Sequence, residues 1–139
     1  WNVIEQNIKT WIALSKKHRN IKLKIHSTIS ILNINKIQLI IDFCDLHNIH
    51  FGYSVLSSPD YLDFRQIPVA ERLKWVVHSS LQPNYSIKDV NKSILSQVKV
   101  NNKLYEFIYF NEIMDKHQQN IFANVNPEIV HLAEKYKNE

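Results

Sequence analysis

Two short stretches of this chain alternate in a way that gathers polar chemistry onto one face. Ile21, Leu23, Ile25 and Ser27 interleave with Lys22, Lys24, His26 and Thr28. Further on, Ile49, Phe51, Tyr53 and Val55 interleave with His50, Gly52 and Ser54. A two-residue period is that of a β-strand, whose side chains point alternately to opposite faces. The isoleucines, Leu23 and Phe51 need burial most, so the polar set is sent to the other side. Lys24, His26, Thr28, Gly52 and Ser54 are therefore the candidate binding residues. They offer an ammonium, an imidazole and two hydroxyls to a ligand. Gly52, the only glycine in the sequence, lets a ligand approach the backbone closely.

Other reactive residue types form no comparable pattern. Cys44 is the only cysteine, so no internal disulfide can form and no cysteine set exists for zinc or an iron–sulfur cluster. Its place on an apolar helix face marks it as a buried structural thiol. The seven histidines are scattered. His47 and His50 are close in sequence but fall across a helix-to-strand turn, with no third ligand in view, so no metal site is expected. Asp42 and Asp45 lie on the polar side of a helix and are expected to be solvated. No strained nucleophile turn accompanies any Ser/His/Asp combination. Tyr105, Phe107, Tyr109 and Phe110 cover several sides of one helix, which suits packing better than base stacking.

These residues are placed by a simple succession of elements. Asn2 with Glu5 reads as a capping box, followed by Ile4, Ile8, Trp11 and Ile12 at helical spacing, which predicts a helix over about 3–17. The first strand follows over 21–28. Asn35 with Gln38 predicts a second capped helix, with Ile37, Ile40, Ile41 and Cys44 on one face and Leu39, Phe43 and Leu46 broadening it until much of its girth needs covering. Asn48 is a plausible stop, and the second strand occupies 49–56. Strand, helix, strand is a βαβ unit, which demands parallel pairing. Beyond Ser57, Pro59, Pro68 and Pro83 punctuate a stretch with no convincing strand. Helices are expected from Pro68 through Val77, from a cap at Ser86 (with Asp89) through Val98, around Leu104 to Met114, and from Asn126-Pro127 through Tyr136.

Read in order, the pieces resemble the closing part of a radical S-adenosylmethionine protein of the twitch or SPASM-like type. Trp1 to Ile8 resembles that family's helix after the fourth barrel strand. Lys22 to Thr28 with Ile31-Leu32-Asn33 is similar to its fifth strand and the turn beyond. Phe51 to Leu62, with Pro59 and the Tyr61-Leu62 pair, resembles its last strand and exit. Ile67-Pro68 stands where the family tends to have Leu-Pro, and Asp115 and Pro127-Glu128-Ile129 resemble a closing Asp-x-x-Arg and Pro-Glu-Leu pattern. Gln118 stands where the Arg would be. The three-cysteine loop and the Gly-Gly-Glu segment belong to the first half of the family's barrel and have no counterpart here.

The resemblance implies an α/β fold: the C-terminal part of a partial (β/α) barrel with two parallel strands over 1–58, followed by a mostly helical extension over 59–139. It implies that the polar strand faces flank S-adenosylmethionine or a substrate, with Gly52 admitting an adenine or ribose and Lys24 and Ser54 offering a charge and a hydroxyl. The parent protein would use S-adenosylmethionine and a [4Fe–4S] cluster to abstract hydrogen from a substrate of unknown identity. This chain alone is expected to be inactive, to hold no cofactor, and to need the first half of the barrel as its partner. The opening Trp1-Asn2-Val3-Ile4-Glu5, without an initiator Met or a signal-peptide layout, reads as a cut made just before a helix, so a fragment is expected.

With 139 residues, 45% of them hydrophobic and 22% charged, the chain suits one domain with a packed core. A lone thiol points to the cytoplasm, and the apolar runs are too short for a bilayer. The net charge of +4 makes contact with phosphates easy without demonstrating it. Lys16, Lys17, His18 and Arg19, with Lys22 and Lys24 beyond, straddle a predicted helix end and complement its dipole. The other reading of the chain starts from that run: a small α/β interaction domain that binds a protein or nucleic acid through a basic surface.

Overall fold

The computed structural model describes residues 2–79, 87–97, 103–118 and 121–138. Helix α1 (Asn2–Lys17) leads into strand β1 (Lys24–Ile29), helix α2 (Ile37–His47) and strand β2 (His50–Val55). The strands pair in parallel, from Lys24 opposite His50 to Ile29 opposite Val55. The βαβ reading of the sequence therefore holds. Regular pairing begins at Lys24 rather than Ile21 because β2 offers its first partner at His50, although the burial alternation already runs from Ile21.

Parity divides the sheet as expected. Ile25, Ser27 and Ile29 face the core beside Phe51, Tyr53 and Val55, while Lys24, His26, Thr28, His50 and Ser54 are exposed on the other side. Helix α2 buries Ile37, Ile41 and Cys44, spaced to share one face. Leu39 and Leu46 remain exposed, so α2 is not covered around as much of its girth as its composition suggests. The helix stops at Asn48, which adopts the left-handed conformation (φ 54°), a role its short polar side chain tolerates.

One predicted helix start holds and one is corrected. Helix α1 begins at Asn2, one residue before the predicted start, and Glu5 pairs with Lys9 at 2.6 Å. Asn35 sits in a 3-10 turn (Ile34–Lys36) and caps nothing; α2 starts at Ile37 without a side-chain cap. The predicted Pro68–Val77 helix is also shorter than expected. Helix α3 (Val69–Arg72) passes into a 3-10 turn (Leu73–Trp75), and the chain is extended by Val76. Asn91 draws it out: its side chain accepts from Val77 N at 2.8 Å and donates to Val77 O at 2.9 Å, which replaces the helical bonding of that backbone.

Helices α4 (Ile87–Leu95), α5 (Leu104–Gln118), α6 (Phe122–Val125) and α7 (Pro127–Tyr136) complete the described chain. The Ser86 cap and Val98 lie outside the described residues. Pro127 begins α7 as predicted, its missing N–H costing nothing in a first turn. One apolar core runs through the βαβ unit and the helices beyond, joining Ile29, Ile41 and Phe51 to Phe64, Phe107 and Leu132. Among the described residues, no helix is long and apolar enough to cross a membrane.

Candidate ligand-binding face of the parallel sheet

All five candidate residues share one face of the sheet. In register, His26 lies opposite Gly52 and Thr28 opposite Ser54, with Lys24 opposite His50. The closest interaction is diagonal: His26 Nε2 and Ser54 Oγ share a hydrogen bond of 2.9 Å. Lys24 lies folded across Gly52. A Cβ built on Gly52 would stand 2.5 Å from Lys24 Cε, 2.9 Å from its Nζ and 3.0 Å from His26 Nδ1. The single glycine thus leaves the space in which a lysine stem rests, bringing ammonium, imidazole and hydroxyl into one group.

This group can attract and orient an anion or a hydroxyl-bearing ligand. It presents a positive charge and hydrogen-bonding groups, and no carboxylate stands among its members. Charge-assisted hydrogen bonds from such donors are roughly twice as strong as neutral ones. Nucleophilic chemistry is not favoured. A serine beside a histidine needs a third group to fix the ring and a water-excluding surround, whereas Ser54 and His26 are exposed.

The rim at the strands' C-terminal ends is held by neutral hydrogen bonds, with the Glu128 carboxylate anchoring its outer side. Ser30 N donates to Asn33 Oδ1 (2.9 Å), Asn33 Nδ2 to Thr28 O (2.9 Å), and Ile31 N to Leu62 O (2.8 Å). Asn126 (3% exposed) reaches from the start of α7 and donates to Leu32 O at 3.1 Å. Asn35 donates in turn to Asn126 Oδ1 and to Glu128 Oε2, each at 2.8 Å. Glu128 also accepts from Trp75 Nε1 (3.3 Å) and pairs with Lys74 (3.0 Å). Burial opposes its ionisation, but the bonds from Asn35 and Lys74 outweigh this and lower its carboxyl pKa. The tail is thereby stapled to the loop after β1. Sequence reasoning treated Asn35 and Asn126 as separate helix starts; nothing in a single sequence pairs residues so far apart.

The remaining reactive groups have structural surroundings. Burial, with Asp45 adding, pushes the Cys44 thiol up to about 11, so it stays protonated. Asp42 is exposed, as expected, and accepts from Gln38, whereas Asp45 is partly buried and accepts from Ser79, which ties it into the fold. His47 packs on Phe43, with ring centres 4.5 Å apart. Asp115 accepts from Phe122 N at 2.9 Å and so supports α6. Among the described residues, no three His, Cys, Asp or Glu side chains gather as a metal site would require. In comparisons with known proteins, no family model, no curated protein and no solved structure matches this chain.

Proposed function

We propose that this chain is the C-terminal part of a radical S-adenosylmethionine enzyme's partial barrel, and that Lys24, His26, Thr28, Gly52 and Ser54 form a wall of its cofactor or substrate site. The observation that carries the reading is the state of β1. It pairs in parallel with β2, yet among the described residues no strand borders its other edge, and its polar face is open. Parallel sheets are ordinarily extended and covered on both faces. A preceding parallel strand beside β1 would continue the sheet toward a barrel and turn the exposed polar face into a lining. The order of the resembling segments supports the same placement.

The chain's own residues fit one implied group and not the other. A [4Fe–4S] cluster needs several thiolates, and the single Cys44 is buried and protonated, so its ligands would lie in the preceding part of the protein. S-adenosylmethionine carries a carboxylate and ribose hydroxyls, which suit the Lys24 ammonium, the Ser54 and Thr28 hydroxyls and the bare backbone at Gly52. Bound in the whole enzyme, it would supply the reactive group for hydrogen abstraction. This chain's share is to bind, orient and shield.

Three observations test the proposal. The reading frame preceding Trp1 should encode three closely spaced cysteines followed by Gly-Gly-Glu; a frame without them ends it. In the whole protein, Lys24→Ala should weaken S-adenosylmethionine binding about tenfold or more, as expected for losing a charged hydrogen bond, with the cluster's absorbance unchanged. Unaltered affinity in both Lys24→Ala and Ser54→Ala would remove these residues from the site. The isolated chain, incubated with iron and sulfide, should form no cluster and cleave no S-adenosylmethionine.

A further inference from the structure

Charge is distributed very unevenly along this chain. Between Glu5 and Asp42 lie seven of the 17 Lys and Arg residues and none of the 13 Asp and Glu. The rest of the chain, with ten cations and 13 acids, is therefore net acidic at −3. Within the basic interval, Lys16, Lys17, Arg19 and Lys22 are all exposed. Among the described residues, none of the four lies within ion-pairing distance of a carboxylate, whereas Lys9, Lys74, Lys103, Lys135 and Lys137 are each paired.

The fold concentrates these charges. His18 N donates to Leu14 O and Ile21 N to His18 O, so a tight turn joins α1 to β1 and keeps the four cations at the sheet's N-terminal end. That end is opposite the rim where the strands exit into their stapled loops. Two of the cations sit in the last turn of α1, where they complement the helix dipole, but a dipole does not require Arg19 and Lys22 beyond it. One planar ring, that of His18, stands between Lys17 and Arg19, and a second lies farther back on α1. Trp11 is 54% exposed, and exposed His18 follows seven residues later, near the same helix line.

We infer that this surface binds single-stranded nucleic acid, with Lys16, Lys17, Arg19 and Lys22 on successive phosphates and Trp11 and His18 offering faces on which bases stack. Cations alone would serve any polyanion. Exposed rings on the same segment favour a partner that has both phosphates and flat bases. The inference stands apart from the proposed enzyme reading, since it uses none of the five residues placed in that site, and Lys24 is left unaltered in its test.

The test is binding of the intact chain to a labelled oligothymidylate of roughly 20 nucleotides as salt is varied. Four phosphate contacts give a log–log slope of about −3. The triple variant Lys16→Gln, Lys17→Gln, Arg19→Gln should reduce the slope by about 2 units, whereas Lys88→Gln, Lys92→Gln, Lys116→Gln removes the same charge elsewhere and should leave it nearly unchanged. Trp11→Ala should weaken binding fivefold or more with little change in slope, because a stack releases no counterions. Circular dichroism of each variant confirms that the fold is retained. Equal losses in the two triple variants would reduce the effect to net charge and overturn the assignment. Equally strong binding to polyglutamate or to phosphatidylserine vesicles would give the surface to an acidic protein or a membrane instead. Absence of salt-dependent binding would end the inference.

Discussion

Replacing Gly52 with alanine separates what this residue does for the fold from what it does for the face above it. Gly52 has no positive φ, so alanine fits its backbone and removes conformational freedom from the unfolded chain, a gain of about 0.4–1 kcal/mol. Against this stands crowding. The new methyl would meet Lys24 Cε at 2.5 Å and His26 Nδ1 at 3.0 Å. The lysine contact involves the far end of an exposed, flexible side chain, which swings away at little cost. The imidazole must shift by a few tenths of an ångström and strain its bond to Ser54, an exposed hydrogen bond worth about 0.5–1 kcal/mol at most. The terms nearly cancel, so stability should stay within about 0.5 kcal/mol of the parent, or roughly 2 °C in Tm. The position of Lys24 does not survive the change.

Urea unfolding of four proteins measures this: parent, Gly52→Ala, Lys24→Ala and the double variant. With Lys24 shortened, most of the crowding disappears, so Gly52→Ala should be more favourable in that background than in the parent. Their difference isolates the lysine contact. A loss above about 1.5 kcal/mol from Gly52→Ala that Lys24→Ala does not relieve would show that backbone or a neighbouring element, not the lysine stem, fills the space.

Arg72, 2% exposed, donates to the carbonyls of Ile67, Ile94 and Ser96; Arg72→Ala strands these buried acceptors and should cost at least about 3 kcal/mol in urea unfolding. Asn126→Ala and Asn35→Ala should each cost about 1–2 kcal/mol, and the double variant less than their sum, since each breaks the same staple. Glu71 is held down to about 2 by hydrogen bonds from Lys135 and Tyr136. A lowered folded pKa stabilises above the ordinary carboxylate range and is lost as pH falls from about 4.5 toward 2; Glu71→Gln should flatten the stability curve across that window. Cys44 should resist a thiol reagent at pH 8 in the native protein and react fully once urea unfolds it.

The βαβ unit was legible because two kinds of period meet in it. Ile25, Ile29 and Phe51 alternate with polar residues, and Ile37, Ile41 and Cys44 recur at helical spacing; each pattern is local and survives in any context that buries it. The shared face of Lys24, His26, Thr28, Gly52 and Ser54 followed from parity alone. What parity could not supply is the diagonal reach of His26 to Ser54 or the folding of Lys24 over Gly52, which depend on register. The helix beyond Pro68 was overestimated because Val76 and Val77 fit a helical face while Asn91, on another helix, captures the backbone of Val77. Asn35 was misassigned for a related reason. A capping signature records what an asparagine can do locally, and here a distant asparagine and Glu128 outcompete the adjacent backbone.

The two ends of the small sheet differ in kind, and the difference bears on both functional readings. At the C-terminal rim, Thr28, Ser30, Leu32, Asn33, Asn35 and Asn126 satisfy one another through neutral hydrogen bonds. Such a rim is pre-ordered and depends little on salt, as a ligand-orienting edge should. At the N-terminal end, the exposed cations have no acidic partners among the described residues, and the field they create reaches only about 8–10 Å at physiological ionic strength. A polyanion held there would feel charges that the rim, several residues along each strand, scarcely senses. Raising salt should therefore release a partner from the basic end while leaving the geometry of the rim and the His26–Ser54 pair intact. The rim and the basic end can thus belong to one protein, whereas Lys24, the first residue of β1 and two residues from Lys22, shares the field of the basic end.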